Sequence, residues 1–297
     1  MRYQITHQTR YGYGGPVSLC HSIAHLKPRE MPYQRCQIAN LRINPWPSVV
    51  REHRDFFGNR VSYFSVQQSH LQLEITATAE VEVWAPLLPE PAATQPWEKL
   101  LAQLQLSTGS EAASARLFRL PSPAVPLDPL AVDYARESFI PERPVLEAAL
   151  ELVSRIHHDF EYDPTSTTVA TPLSEVLQLR RGVCQDFAHL AIAALRGLGL
   201  PARYVSGYLE TLPPPGQPKL RGADASHAWL SIYCPEAIQS GGWVDLDPTN
   251  DCAITDQYIT TAFGRDYQDV TPLRGVFYGG GEHSLAVSVD VDRLTTD

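Results

Sequence analysis

Positive charge is scarce in this sequence, and so are long apolar runs. Its 297 residues include 24 Lys and Arg against 33 Asp and Glu, which gives a formal net charge of −9. A chain of this charge is poorly suited to neutralising phosphates, so neither a nucleic acid nor an anionic membrane surface is expected as a partner. No stretch approaches the roughly 18 apolar residues that a membrane-spanning helix requires.

Cysteines are also few, and they are widely spaced. The chain has five, at positions 20, 36, 184, 234 and 252, with no CxxC pair. The opening MRYQITHQTRYGYGG lacks the apolar segment of a signal peptide. An odd number of cysteines without an export signal argues against a disulfide framework and favours a cytoplasmic protein with reduced thiols.

The patterns that are present divide the chain into three parts. Residues 1–85 alternate polar and apolar side chains, which predicts an all-β, sandwich-like N-terminal domain. Residues 86–130 are rich in proline and are interpreted as a linker with one short helix at WEKLLAQLQ. Residues 131–297 show helical patterns followed by strand patterns, with SLAVSVDV as the last strand, and we expect an α+β domain.

One cysteine lies where a thiol can be activated. The stretch RGVCQDFAHL places Cys184 in the first turn of a predicted helix, directly after a position where Gly182 permits a tight turn. A helix N-terminus lowers the pKa of a thiol, although the helix dipole alone has a modest effect and a base should lie nearby. Asp186, in the same turn, favours the helix dipole and is a possible substrate contact.

His227 is the histidine best placed to be that base. It precedes the strand AWLSIYC, and the next strand, GGWVDLD, would pair with it as a hairpin with a loop at residues 234–240. In that register Asp247 lies directly opposite His227, where Cβ atoms are roughly 4.5–5.5 Å apart. Asp245 lies one diagonal step away on the same face, and spacing alone does not separate the two acids. The proline-rich residues 211–218 before His227 are interpreted as a connector rather than a lid.

These stretches together resemble a known family. RGVCQDFAHL, GLPARYVSGYL, ASHAWLSIY and GWVDLDPTN, in that order within residues 145–253, are similar to the transglutaminase-like superfamily of papain-related thiol enzymes. The first 85 residues resemble the β-rich N-terminal region of bacterial transglutaminase-like proteins. The resemblance implies an α+β core in which the nucleophile helix packs on an antiparallel sheet. It also implies that Cys184 is the nucleophile, His227 the base and Asp247, rather than Asp245, the orienting acid.

The implied chemistry is attack of a thiolate on an amide carbonyl of a protein or peptide, through a thioester. The backbone N–H of Cys184 is the natural oxyanion donor, and the resemblance suggests Tyr162 as a second. Hydrolysis by a peptidase or amidase is the first expectation. Acyl transfer to an amine and a catalytically silent binding protein are the alternatives. No cofactor is expected, and no metal site, since Asp245, Asp247 and Asp251 do not fit the EF-hand spacing.

Overall fold

The structure is a computed structural model that describes residues 1–211, 222 and 226–294. The proline-rich connector at 211–218 therefore lies almost wholly outside the described residues. The strands are β1 (Arg2–Ala24), β2 (Gln34–Asn44), β3 (Val49–Arg54), β4 (Arg60–Val66), β5 (His70–Val83), β6 (Glu161–Tyr162), β7 (Arg181–Gly182), β8 (Ala202–Leu209), β9 (Ser226–Tyr233), β10 (Trp243–Asp247), β11 (Cys252–Ala253), β12 (Tyr258–Gly264), β13 (Leu273–Gly279) and β14 (His283–Arg293). The helices are α1 (Trp97–Leu106), α2 (Ser110–Leu117), α3 (Pro129–Arg136), α4 (Val145–Asp159), α5 (Leu173–Leu179), α6 (Cys184–Gly197) and α7 (Tyr267–Val270).

The N-terminal region is β-rich, as expected. Strands β1 to β5 form an antiparallel sheet in the order β2-β5-β1-β4-β3. Burial alternates along β1 and β5 because successive side chains of a strand point to opposite faces. Buried apolar side chains of β1, β2, β4 and β5, such as Val17, Phe64 and Ile75, share one core, while those at the start of β1 and the end of β5 belong to a second core.

The last two strands return to this same sheet. Both β13 and β14 pair antiparallel with β1, and β14 covers residues 3–13 of it. The strand predicted at SLAVSVDV therefore exists as β14, but it does not belong to the sheet of the second domain. That residues 131–297 form one domain remains a prediction. Residues 273–293 lie in this range, but they pair with β1 of the N-terminal sheet. Sequence pattern identifies a strand but not its partner, because pairing is set by contacts distant in the chain.

The stretch at 86–130 is more than a linker. It holds α1, at the position predicted from WEKLLAQLQ, and also α2. The buried side chains of Leu100, Leu104 and Ala112 belong to the same core as α4 and α6. Pro96 lies directly before α1, where a proline removes no hydrogen bond within the helix.

The second half contains the helix-on-sheet arrangement. Strands form the order β11-β10-β9-β8-β12, and α6 contacts β8 and β9. Ala228, Leu230 and Ile232 of β9 share a core with α6. Trp229, from the opposite face, packs with Tyr258 of β12 and with Tyr33 of the N-terminal region. Within the described ranges, no helix is long and apolar enough to cross a membrane.

Candidate active site

Cys184 is the first residue of α6, as the sequence predicts, and its side chain is partly exposed. The helix start is fixed by Asp186, whose carboxylate accepts hydrogen bonds from the N–H of Val183 at 2.9 Å and from the hydroxyl of Thr167 at 2.6 Å. Burial raises the pKa of Asp186, and these two hydrogen bonds oppose that shift. The carboxylate thus bonds groups of the protein rather than facing a substrate. Its role in the structure is to hold the start of α6 in place.

Gly182 is needed at its position because of the same carboxylate. A Cβ on Gly182 would lie 2.8 Å from Oδ2 and 2.9 Å from Cβ of Asp186. No side chain fits there unless Asp186 moves. The close approach at Gly182 is therefore to the side chain of Asp186.

Tyr162 is held beside the thiol by a short strand pair. Strand β6 runs parallel to β7, with Tyr162 opposite Gly182, and the N–H of Asp163 donates to the carbonyl of Gly182 at 2.9 Å. Burial raises the pKa of Tyr162, and the charge of Cys184 raises it further. The phenol is close enough to Cys184 for this interaction, and its role as an oxyanion donor stays a prediction.

His227 connects the thiol to a buried acid. Its Nε2 lies 2.7 Å from Oδ2 of Asp247, and the Cys184 side chain is near enough to raise the pKa of the ring. Burial lowers the pKa of His227, but the hydrogen bonds to Asp247 and Cys184 outweigh this and raise it to about 10. The imidazole therefore carries its proton, and a positive charge, at neutral pH.

Asp247 is fully buried and receives several donors besides His227. Its carboxylate accepts from the N–H of Thr249 at 2.8 Å, from Nδ2 of Asn250 at 2.6 Å and from the hydroxyl of Tyr258 at 2.8 Å. Burial alone would raise the pKa of Asp247, yet hydrogen bonds from His227, Asn250 and Tyr258 lower it. The acid is thus held ionised and fixed in orientation.

Sequence reasoning did not identify Asn250 or Tyr258. Asn250 follows Asp247 by three residues in the turn DPTN. An Asn side chain in a turn often hydrogen-bonds groups of the same turn, so this spacing could have indicated the contact with Asp247. Tyr258 lies on β12, eleven residues from Asp247 in the chain. No local pattern marks that contact.

The hairpin that carries His227 and Asp247 has a different register from the expected one. Tyr233 pairs with Trp243, not with Gly241, so the loop extends through Gly242. Gly241 and Gly242 both have positive φ, 66° and 77°, and stay in the loop rather than start the strand. The shift is two residues, so Asp247 stays on the same face and lies diagonal to His227 instead of directly opposite.

Asp245, the alternative orienting acid, has different hydrogen-bond partners. Its Oδ2 accepts from the hydroxyl of Tyr33 at 2.7 Å, and its Oδ1 from the hydroxyl of Ser231. The buried guanidinium of Arg203 also interacts with it. Asp245 thus joins the second half to the N-terminal region, and His227 is not among its hydrogen-bond partners.

The other cysteines are not activated. Burial raises the pKa of Cys20, Cys36 and Cys252, and burial together with Glu236 raises that of Cys234 to about 12. Cys234 is buried, although it lies where the hairpin loop begins. No cluster of three or more possible metal ligands occurs within the described residues.

Comparison with known proteins yields matches along most of the chain. A sequence profile of the bacterial transglutaminase-like N-terminal region matches residues 3–82, and one of the transglutaminase-like superfamily matches residues 133–248. An uncharacterised protein of Mycobacterium tuberculosis is 44% identical over 294 residues, which are 98% of this chain and 92% of that protein. One from Mycobacterium leprae is 32% identical and covers 99% of each chain.

Two further matches carry a description. A protein-glutamine gamma-glutamyltransferase of Pseudomonas aeruginosa is 31% identical over 106 residues, 33% of this chain and 15% of that protein. The crystal structure of a candidate cysteine protease from Cytophaga hutchinsonii superimposes with a TM-score of 0.73 at 23% identity, covering 100% of this chain and 92% of that one. This likeness is one of fold, and it confirms the expected β-rich region followed by a papain-like α+β core.

Proposed function

Because this chain belongs to the transglutaminase-like superfamily, we propose that it is a thiol enzyme that cleaves an amide bond through an acyl-enzyme on Cys184. The observation that carries the proposal is the linked set of Cys184, His227 and Asp247. The hydrogen bonds to Cys184 and Asp247 raise the pKa of His227 to about 10 although the ring is buried, as a thiolate–imidazolium pair requires.

Each residue has a step in the proposed reaction. The Cys184 thiolate attacks the carbonyl carbon, and the electron pair of the C=O bond moves to oxygen. Collapse of this intermediate breaks the C–N bond, and the His227 imidazolium gives its proton to the leaving amine. Asp247 keeps the imidazole in the tautomer that presents the other ring nitrogen to sulfur.

The oxyanion needs donors that are already in place. The N–H of Cys184 is at the first position of α6, where backbone N–H groups lack a partner within the helix. Tyr162 is the proposed second donor, on the basis of its electrostatic contact with Cys184.

Hydrolysis is the favoured outcome for the thioester. Water attacks the thioester carbonyl, His227 accepts a proton from the water, and the thiolate leaves. Transfer of the acyl group to an amine is the second candidate, because the Pseudomonas aeruginosa relative described as a gamma-glutamyltransferase matches a third of this chain. The two outcomes differ only in the nucleophile that reaches the thioester.

Trapping the acyl-enzyme tests this proposal. Dimethylcasein with dansylcadaverine serves as the probe mixture, and reactions are quenched in acid before peptide mass spectrometry. We expect an acyl adduct on Cys184 that is lost in Cys184→Ala and retained in Cys252→Ala. Product without dansyl label indicates hydrolysis, and labelled product indicates acyl transfer. An adduct on another residue, or product formation that survives Cys184→Ala, would contradict the proposal.

A further inference from the structure

A pocket of about 260 Å³ lies against the first turns of α6 and has no part in the proposed acid–base chemistry. Gln185 and His189 form its helical side, and the loop before α5 forms another wall, with Val169, Ala170 and Leu173. The side chain of Gln185 donates to the carbonyl of Val169 at 3.5 Å, which joins the two walls.

The pocket is within reach of a substrate held at Cys184. A helix turns about 100° and rises about 1.5 Å per residue, so Gln185 and His189 place the pocket on the flank of α6 about 100–140° around the axis from Cys184 and about 1.5–7.5 Å further along it. An extended peptide advances about 3.3–3.6 Å per residue. A residue one or two positions from the reacting amide would therefore arrive at this pocket.

His189 supplies an unused donor in the pocket. Its side chain is 5% exposed, and its Nε2 accepts from the backbone N–H of Tyr267 at 3.2 Å. The ring proton therefore lies on Nδ1, and no described residue accepts from it. Burial lowers the pKa of His189 to about 4, so the ring stays neutral at pH 7.

The remaining lining argues against an acidic side chain, and its apolar part favours an aliphatic one. Of the described lining residues, Asp128 is the only charged one, and its carboxylate already accepts from the N–H of Leu130 at 2.8 Å. No described cation lines the pocket that could pair with an acidic substrate. Apolar surface comes from Ala124, Val169 and Leu173.

We infer that this pocket is a specificity site for an uncharged aliphatic residue one or two positions from the reacting amide. The carbonyl oxygen of that residue accepts from Nδ1 of His189, and its side chain lies against the apolar wall. This inference rests on the proposed function, since it places the reacting amide at Cys184. It adds a determinant of substrate choice that the triad does not contain.

Three alkylating probes that differ only in the side chain test the inference. Iodoacetyl-leucinamide, iodoacetyl-glycinamide and the iodoacetyl α-amide of glutamic acid each form an S–C bond as sulfur displaces iodide. The rate constant for modification of Cys184 is measured by peptide mass spectrometry, in 0.5 M salt so that the negative net charge is screened. We expect the leucine probe to saturate and to exceed the glycine probe by about tenfold, with the glutamate probe slowest.

A pair of alanine variants locates the effect. Ala170→Phe fills the pocket, and we expect the leucine-to-glycine ratio to fall to about one. Ala113→Phe makes the same change at an exposed site on α2, and the ratio should stay at its original value. A ratio near one in the original protein, or a ratio that survives Ala170→Phe, overturns the inference.

Plain iodoacetamide separates this inference from the proposed function. If Cys184 reacts with iodoacetamide well below pH 7 but shows no preference for the leucine probe, the pocket assignment fails and the activated thiol stands. If Cys184 prefers the leucine probe but does not react with iodoacetamide below pH 7, the pocket assignment is supported and the activated thiol is contradicted.

Discussion

At the scale of single residues, the candidate site depends on which acid holds His227. Asp247 lies 2.7 Å from the imidazole, while Asp245 is bonded to Tyr33 and Ser231. Both acids are buried, and they are two residues apart on one strand. Their surroundings, rather than their positions in the sequence, separate their roles.

Replacing each acid by its amide should distinguish these roles. We expect Asp247→Asn to lower alkylation of Cys184 at pH 6 by about tenfold or more, because the charge that stabilises the imidazolium is lost. Asp245→Asn should lower the melting temperature through its lost contacts with Tyr33 but leave the pH profile of alkylation in place. The reverse pattern would show that Asp245 is the orienting acid.

The hydroxyl of Tyr258 acts on the thiol through Asp247. Its hydroxyl donates to Oδ2 of that acid, and hydrogen bonds to charged groups contribute about 1.5–3 kcal/mol. We expect Tyr258→Phe to move the acid limb of the alkylation profile upward by about one pH unit. Tyr278→Phe, an exposed tyrosine, is the control and should leave the limb in place. An unchanged limb in Tyr258→Phe would show that its hydroxyl does not position Asp247.

At the scale of elements, the start of α6 is the most constrained part of the site. The order β7, Val183, α6 brings Gly182 against Asp186, and the first N–H groups of the helix have no partner within the helix. The helix could be predicted because its apolar stripe and the glycine before it are local signals. The contact between Gly182 and Asp186 could not, because it depends on the rotamer that Thr167 holds.

Gly182→Ala should disturb this start. The new Cβ would meet Asp186, and overpacking of this kind costs about 1–3 kcal/mol of folding free energy. We expect a lower melting temperature together with slower alkylation of Cys184. Gly109→Ala, where the nearest atom to a new Cβ is 3.8 Å away, should change neither. Equal melting temperatures for the two variants would mean that the clash is relieved at no cost.

Elements also show the limits of sequence reasoning. The helix at Cys184 and the hairpin of His227 and Asp247 follow from periodicity and from turn residues. The hairpin register was wrong by two residues because the two glycines at 241 and 242 fit a loop as well as a strand start. Because the register differs by an even number of residues, Asp247 stays on the same face of the sheet as His227. The two side chains therefore still meet, although the expected register was wrong.

At the scale of the whole molecule, the N-terminal region packs against the face of the second sheet, β8 to β12, that lies opposite α6. Tyr33 bonds Asp245, and His7 lies 3.1 Å from the hydroxyl of Tyr208 on β8. Strands β13 and β14 return from the far end of the chain to pair with β1. Such long-range pairing has no local signature, so the sequence showed strands here without showing that the chain closes on itself.

The buried His7 should make stability depend on pH. Burial lowers its pKa to about 4, whereas an unfolded histidine titrates near 6.5. The unfolded state therefore binds more protons between these values, and stability is full above pH 6.5 and falls as the pH drops towards 4. We expect His7→Gln to reduce the difference in melting temperature between pH 7.5 and pH 5, with exposed His53→Gln as the control. An undiminished difference would show that His7 does not contribute to this dependence.

The most direct test of the central claim is the pH dependence of Cys184 alkylation by iodoacetamide, followed by peptide mass spectrometry. We expect Cys184 to react well below pH 7 and faster than the other four cysteines, with His227→Ala abolishing this advantage and exposed His53→Ala leaving it intact. Reaction of Cys184 only near the pKa of a free thiol, about 8.5, in both the original protein and His227→Ala, would contradict the claim that these residues form a thiolate–imidazolium pair.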